Sequence, residues 1–421
     1  MMESFADALH GRATILIEQK KYAEAAAFLR QALAQDPQDG WGLYLLALCQ
    51  LHMPAEEKAA SATIDRALAA DGNNAAFHAL RSHILTNDKK YAAALSAADT
   101  AVAIGPDYAG GHIARCAALI GTERWKDAEA SARAALALDP DNAGAGNLLS
   151  ETLRFQNRGA ETAAHVQSML AKDPTDAFSH ANAGWVALEK GDLKNAQLHF
   201  LEALRIDPGF EYARKGIVET FKAKSPVYRG YLAYSFAMAK IPPRTRLAII
   251  IGAVIAVRLL RSLFTGDLWV IGALIGIAYM IFVLWSWVAG GVGNLILLTD
   301  RFARHALVKS EKQEAVLVGG GVMAGVLMLI AGFAASIDPL QKIGIACIAA
   351  AFPFSATFHN DHPTGRWVFG IAGAVVLACG VASGLISTIA GESGMATILF
   401  SATLIIGVLT TWMGAFGVLR R

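Results

Sequence analysis

Charge is what the C-terminal part of this 421-residue chain lacks. Between Ala315 and Leu419 the only charged residues are Asp338, Lys342, Asp361, Arg366 and Glu392. That excludes an ordinary solvated globular surface over this stretch. Cysteine is scarce as well: Cys49, Cys116, Cys347 and Cys379 are spread over both halves without CxxC spacing. This excludes a disulfide frame or a zinc site, and their apolar surroundings predict buried thiols. The N-terminal "MMESFADALHGRATILIEQKK" has acidic residues early and no apolar core followed by a small-residue cleavage site, so no signal peptide is expected. Catalytic signatures are missing too. No Ser-His-Asp set or HExxH motif is present, and Gly290, Gly291 and Gly293 lack the Lys-Ser/Thr that a phosphate loop needs. With a formal net charge of +2, neither a nucleic acid, a cofactor nor a metal is expected.

What is present is periodicity. Up to about Lys224 the chain is Ala-rich and well charged, and one phrase returns: "LAQDPQD", "VAIGPDY", "LALDPDN", "LAKDPTD" and "LRIDPGF". Pro106, Pro140, Pro174 and Pro208 lie 34 residues apart, Pro37 lies 69 before Pro106, and Gly72 stands in the proline's place between them. A fixed period of this size signals stacked repeats. Within each period apolar residues follow helical spacing, break, and resume, as around Gly121 and Thr122 in the fourth unit. Helices this short are marginal in water and must bury a face against neighbours. Proline opens the next turn, and the Asp before it favours a turn or capping conformation.

Small and aromatic residues recur in register: Tyr22, Tyr91 and Trp125; Ala25, Ala94, Ala128 and Ala196; Ala32, Ala101, Ala135 and Ala203. With Gly184 in "ANAGWVALEKGDLKNAQLHFLEALRIDP", this resembles the tetratricopeptide repeat over about Ser4 to Pro208, as six helix-turn-helix units. The second unit departs, with an extra residue, Glu57 for an aromatic and Gly72 for Pro. The fifth departs with Gly159 and Thr162, and both are expected to pack less regularly. "FEYARKGIVETFKA" is expected as a capping helix. The resemblance implies a superhelix whose concave face, lined by first helices, holds a peptide or partner segment. Mapped by the period, His10, Tyr44, His83, Ile113, Asn147, Glu151, Arg154, Asn182 and Trp185 are the candidate groove residues. Arg12, Arg81 and Arg115 occupy equivalent places; a structural, snorkelling role is expected for them over an anion-binding ladder.

The fold class expected is therefore all-α: a repeat superhelix over 1–224, a basic juncture over 225–246 and a C-terminal bundle over 247–421. The bundle's apolar segments fall at about 247–264, 268–288, 315–336, 343–358, 367–390 and 395–419, close to the roughly 20 residues that cross a bilayer. Six spans place both termini on one side. That side receives Arg244, Arg246, Arg301, Arg304, Lys309, Lys312, Arg366, Arg420 and Arg421, which predicts a cytoplasmic repeat domain at an inner membrane. "NLILLTDRFARHALVKSEK" has the spacing of an interfacial or linker helix. Gly321 with Gly325, and Gly380 with Gly384, place small residues four apart, as close helix packing or self-association requires. His359, Asp361 and His362 cluster in "FHNDHPTGR", but three close neighbours are better explained as a polar connection than as a metal or hydrolytic site. The arrangement resembles membrane-bound bacterial tetratricopeptide-repeat proteins with a C-terminal multi-span domain.

The expected function is non-enzymatic: a membrane-anchored scaffold or adaptor whose groove recruits a cytoplasmic or membrane protein, with lipids around the bundle. The alternative is a transporter, channel or lipid-handling bundle regulated by the repeats.

Overall fold

An aspartate followed by proline or glycine does the same work at successive boundaries of the N-terminal half. In the structure, a computed structural model that describes residues 5–263, 269–301, 303–360, 362–391 and 393–415, Oδ1 of Asp36, Asp71, Asp173 and Asp207 accepts the backbone N–H two residues on, at 2.8–3.0 Å. These bonds close the turn in which each repeat ends. The next helix starts behind a polar cap where one is present: the side chains of Asp39, Asn74 and Asn142 accept from Trp41, Ala76 and Ala145 N–H.

Six helix pairs result. They are α1 (Phe5–Glu18) with α2 (Tyr22–Gln35), α3 (Gly40–Leu51) with α4 (Glu57–Ala70), and α5 (Ala75–Asn87) with α6 (Tyr91–Ile104). Then follow α7 (Ala109–Gly121) with α8 (Trp125–Leu138), α9 (Ala143–Phe155) with α10 (Gly159–Lys172), and α11 (Ala177–Glu189) with α12 (Leu193–Ile206). In five of the six pairs the turn between the helices carries a left-handed residue, Lys20, Lys89, Glu123, Asn157 or Gly191, at φ of 57–78°. Around each, the next residue's N–H reaches back five residues, as from Arg124 to Leu119 O at 3.0 Å. This is the usual way a helix end satisfies its last carbonyls. Gly121, expected to break the helix, is the last residue of α7 and lies against the Tyr91 ring, where a Cβ would collide. The left-handed step falls on Glu123.

The alanines of the repeat pattern are the contact layer. Ala25, Ala32, Ala60, Ala67, Ala94, Ala101, Ala128, Ala135, Ala196 and Ala203 are all fully or almost fully buried. Larger side chains fill the spaces between, as in the cluster of Leu43, Ile64, Phe77, Leu80 and Ile84. The second unit keeps this packing despite its extra residue. In the fifth, only Thr162 and Val166 of α10 are buried, and the start of that helix at Gly159 has open space beside it.

The chain divides into two compact units, Met1–Val186 with Glu202–Gly209, and Ala187–Leu201 with Phe210–Arg421. The second contains α13 (Glu211–Lys222), α14 (Pro226–Ala239), α15 (Pro243–Leu263), α16 (Trp269–Thr299), α17 (Lys309–Glu314), α18 (Gly321–Ala335), α19 (Asp338–Phe358), α20 (Pro363–Ala390) and α21 (Gly394–Ala415). No strand occurs among the described residues. Helix α13, expected as the cap of the repeats, belongs to this unit by compactness: Val218 packs with Leu297, Ala303 and Leu307. The basic juncture is itself helical, as α14, with Pro226 at its first turn and Tyr228 and Leu232 buried.

Among the described residues, four helices are long and apolar enough to cross a membrane: Val270–Thr299, Lys309–Ala335, Asp338–Phe358 and Pro363–Ala390. In α15 and α21 the described apolar stretches are shorter, Ile251–Leu260 and Gly394–Thr410, against six expected spans. The segment expected as one amphipathic helix is broken into the end of α16, a 3₁₀ turn at Ala303–His305, and α17. Asp300 Oδ1 accepts from Ala303 N–H and Glu311 Oε2 from Val308 N–H, each at 3.0 Å, so two side chains stop the helix and restart it. Glycines set the packing of the long helices. A Cβ on Gly325 would lie 2.7 Å from Gly344 O, and one on Gly384 would lie 2.5 Å from Ile343 Cγ1. A Cβ on Gly380 would collide with Ala346, whereas Gly321 has more room. These are the close approaches that small residues permit.

Candidate functional site

First helices of the repeats start at Gly40, Ala75, Ala109, Ala143 and Ala177. Counting from those starts, Tyr44, Ala79, Ile113, Asn147 and Ala181 form one ridge, and Leu48, His83, Ala117, Glu151 and Trp185 the ridge one turn later. Six of the nine candidate residues, Tyr44, His83, Ile113, Asn147, Glu151 and Trp185, lie on these two ridges, and Trp185 closes the second. The structure gathers the candidates into two different environments.

The first is aromatic. Tyr44, half-buried, stacks on Trp41 and Phe77 with ring centroids 4.9 and 5.4 Å away, while Trp41 stays 46% exposed. Burial, then the neighbouring Tyr108 hydroxyl bonded to it, pushes the Tyr44 phenol up to about 12. Tyr44 is therefore a neutral hydroxyl at any ordinary pH. His10 lies beside this patch with Nε2 2.7 Å from Asp39 Oδ2. His83 is exposed to solvent, yet the protein around it desolvates its charged form and lowers its pKa. Ile113 is half-buried on α7.

The second is polar. Asn147 and Asn182, 3% and 2% exposed, sit inside rather than on the open face. Asn147 Nδ2 donates to Asp176 Oδ2 at 2.8 Å, and Asn147 Oδ1 accepts from Ser179 Oγ at 3.1 Å and Asn182 Nδ2 at 3.3 Å. Asp176 also caps α11 by accepting from Ser179 N–H at 2.9 Å. The Asn182 amide is thus committed to the protein's own Asn147. Glu151, half-buried on α9, has its pKa raised by burial, against which the Arg154 charge works. The Arg154 guanidinium is buried over the Phe155 ring at 4.3 Å and the Trp185 ring at 5.6 Å.

A family model of the tetratricopeptide repeat matches residues 16–84, and a second matches residues 179–210. Over those two segments the chain is similar to the tetratricopeptide repeat. Its repeats are similar in fold to the solved Pseudomonas aeruginosa pilF, at 18% identity over 52% of this chain and 97% of that one, with a TM-score of 0.40. A tetratricopeptide repeat protein from Parabacteroides merdae matches at 14% identity over 51% and 84% of the two chains, TM-score 0.44. PilW, described as a widely conserved type IV pilus biogenesis factor, matches at 16% over 51% and 98%, TM-score 0.42. No curated protein matches the chain.

The three equivalent arginines of the repeat array engage neighbouring second helices within the array. Arg81 pairs with Asp65 at 3.2 Å, Arg115 with Asp99 at 2.6 Å, and Arg12 lies 4.5 Å over the Phe28 ring. Each clasps the second helix of the same or the preceding pair, as the structural reading expected. Residues outside the candidate set also matter. Trp41, Phe77 and Tyr108 complete the patch around Tyr44; they fall at helix starts, where the repeat consensus says little. His78, His112 and His180 each place Nε2 2.9–3.1 Å from the carbonyl of the residue six positions back, Gly72, Pro106 and Pro174. His78 and His112 stand 34 residues apart and His180 two periods further on, which is the signal in the sequence, and their role is to staple the turn.

In the second unit, "FHNDHPTGR" folds around Asn360, whose Oδ1 accepts from His362 N–H at 2.9 Å and whose carbonyl accepts from Arg366 Nε at 2.9 Å. Asp361 lies outside the described residues, as do Arg420 and Arg421. Among the described residues no His/Cys/Asp/Glu group could hold a metal ion. A polar cluster absent from the sequence reading lies instead between α13, α14, α16, α17 and α19. Lys222 Nζ is 3.0 Å from Glu219 Oε1, the Tyr228 hydroxyl donates to Glu219 Oε2 at 2.8 Å, and Asn294 Nδ2 donates to Glu314 Oε2 at 3.0 Å. Burial, then the Glu219 charge, drives the Tyr228 phenol far above its usual range. Beside it Arg214 forks onto Glu311 at 2.9 and 3.0 Å.

Proposed function

We propose that this protein is a membrane-anchored scaffold. The face of its first helices binds an extended protein segment, and its apolar C-terminal helices hold that segment at the bacterial inner membrane, with the repeats on the cytoplasmic side. Tetratricopeptide repeats act as protein-binding scaffolds, and four long apolar helices fit a membrane protein. The observation that carries the reading is the stacked Trp41–Tyr44–Phe77 patch. A large apolar ring left half in water beside a neutral hydroxyl donor is the composition of an interface anchor. The buried Asn147–Asn182 network stiffens the face further along, which lowers the ordering cost of binding. The sorting of basic residues to one side of the apolar segments supports the orientation.

The test is quantitative mass spectrometry of proteins co-purifying with the full-length chain, wild type against Trp41→Ala/Tyr44→Ala. Loss of a partner by tenfold or more in the variant is expected, since anchors of this kind account for 2 kcal/mol or more, about thirtyfold. Equal recovery from a variant with wild-type helicity would overturn the groove assignment.

A further inference from the structure

Two buried oxygens in the second unit accept no hydrogen bond. Glu314, the last residue of α17, is 6% exposed, and Asn294 on α16 is 2% exposed. Asn294 Nδ2 donates one of its two protons to Glu314 Oε2, while Glu314 Oε1 and Asn294 Oδ1 are without a hydrogen-bond partner. Buried polar atoms are almost always satisfied, so a pair left open in one place points to something that fills it. What fills it must be positive or a donor, because both atoms accept.

The surroundings fit a small occupant. The wall opposite Oε1 is bare backbone: a Cβ on Gly290 would stand 3.3 Å from Oε1 and 3.8 Å from His359 Cε1. A π-helical turn, Ala315–Gly320, begins directly after Glu314, a rare local geometry that recurs at functional sites. Close packing of Gly319 on Gly291 holds that turn against α16, where a Cβ on Gly319 would lie 2.5 Å from Gly291 O. The charged neighbours are engaged with other groups. Lys222 of α13 pairs with Glu219, the Tyr228 hydroxyl of α14 bonds the same Glu219, and Glu311 of α17 takes Arg214. His359 of α19 lies with Nδ1 3.9 Å from Oε1 and 2.9 Å from Ser355 O, and its ring is largely exposed, so it flanks a route to solvent.

We infer that Glu314 Oε1 and Asn294 Oδ1 share one bound positive charge, a proton or a monovalent cation. A proton taken from water onto Oε1 would donate to Asn294 Oδ1 and close an acid–amide ring with the existing Nδ2–H···Oε2 bond. Both open atoms are then satisfied, and no bond is broken. A desolvated sodium ion would be held by the same two oxygens. This goes beyond the scaffold reading and does not depend on it.

The experiment is thermal unfolding of the full-length protein in lipid nanodiscs. The pH is varied at fixed sodium, and sodium chloride is exchanged for N-methylglucamine chloride at fixed pH and ionic strength. A ligand bound only by the folded state raises the midpoint. A rise of a few degrees on acidification identifies the proton, and a rise of a few degrees with sodium identifies the cation. In either case Glu314→Gln, whose amide supplies the missing donor to Asn294, should abolish the dependence. A wild-type midpoint unmoved by both, or a Glu314→Gln midpoint that moves as the wild type does, overturns the site. Asn294→Asp is the second variant: with two carboxylates sharing the charge, the half-saturation point should shift at least tenfold, to higher pH or lower sodium. No shift in a folded Asn294→Asp protein counts against the inference equally.

Discussion

Replacing Phe77 by alanine should unlatch part of the repeat array and leave the rest intact. Phe77 is 2% exposed and stands at the centre of a cluster with Leu43, Ala47, Ile64, Leu80 and Ile84. Its ring also stacks on Tyr44 and faces Trp41 at 6.3 Å, and Gly40 opens the space beside it. Truncating such a ring costs about 3–5 kcal/mol from lost transfer energy and the cavity left behind. Taking about 4 kcal/mol, the local opening constant rises roughly 10³-fold. In a stack where each repeat touches mainly its neighbours, that loss stays near the second and third repeats. Hydrogen exchange with mass spectrometry on the full-length protein resolves this: amides of α3 to α6 should exchange far faster, those of α9 and α10 hardly at all. Phe77→Leu, which keeps most of the volume, should cost under about 1.5 kcal/mol. Acceleration spread evenly over all repeats, or none in α3 to α6, would refute both the placement of Phe77 and the one-dimensional picture.

Three further outcomes follow from other sites. Burial opposes ionisation of Glu129, but hydrogen bonds from Gln156, Arg158 and Arg133 outweigh it and hold its carboxyl below the usual range. Its contribution is therefore complete above the unfolded value, roughly 4.3, and lost as pH falls through the lower folded value. Exchange in α8 to α10 should accelerate in that acid window in the wild type, and Glu129→Gln should flatten the response. Glu123 occupies a left-handed turn at φ 57°, so Glu123→Gly should stabilise the fourth repeat by about 1 kcal/mol, read as slower exchange in α7 and α8. Gly380→Val pushes a side chain into Ala346 of α19; overpacking of about 1–3 kcal/mol should lower the unfolding midpoint of the nanodisc-embedded protein.

Much of the repeat domain was legible in the chain because its physics is local and periodic. Asp-Pro turns, alanines at contact positions and aromatic helix starts recur in register with a period of about 34 residues in most units, so one unit's chemistry predicts much of the next. The apolar run of the second half was equally plain, since charge is absent over helix-length stretches. Other features depend on which side chains three dimensions bring together. Asn147 and Asn182 stand 35 residues apart, yet they share one buried network, so a place in the repeat could not tell a groove residue from an interior one. Arg214 and Glu311 are 97 positions apart, and Glu314 is met by Asn294 from another helix, with His359 from a third close by. No spacing in a single chain encodes such meetings. Periodicity thus determined the helices, the turns and the repeat family. Tertiary packing alone decided which polar atoms found partners and that Glu314 Oε1 and Asn294 Oδ1 were left open side by side, because desolvation and hydrogen-bond satisfaction are properties of assembled neighbours rather than of residues in sequence.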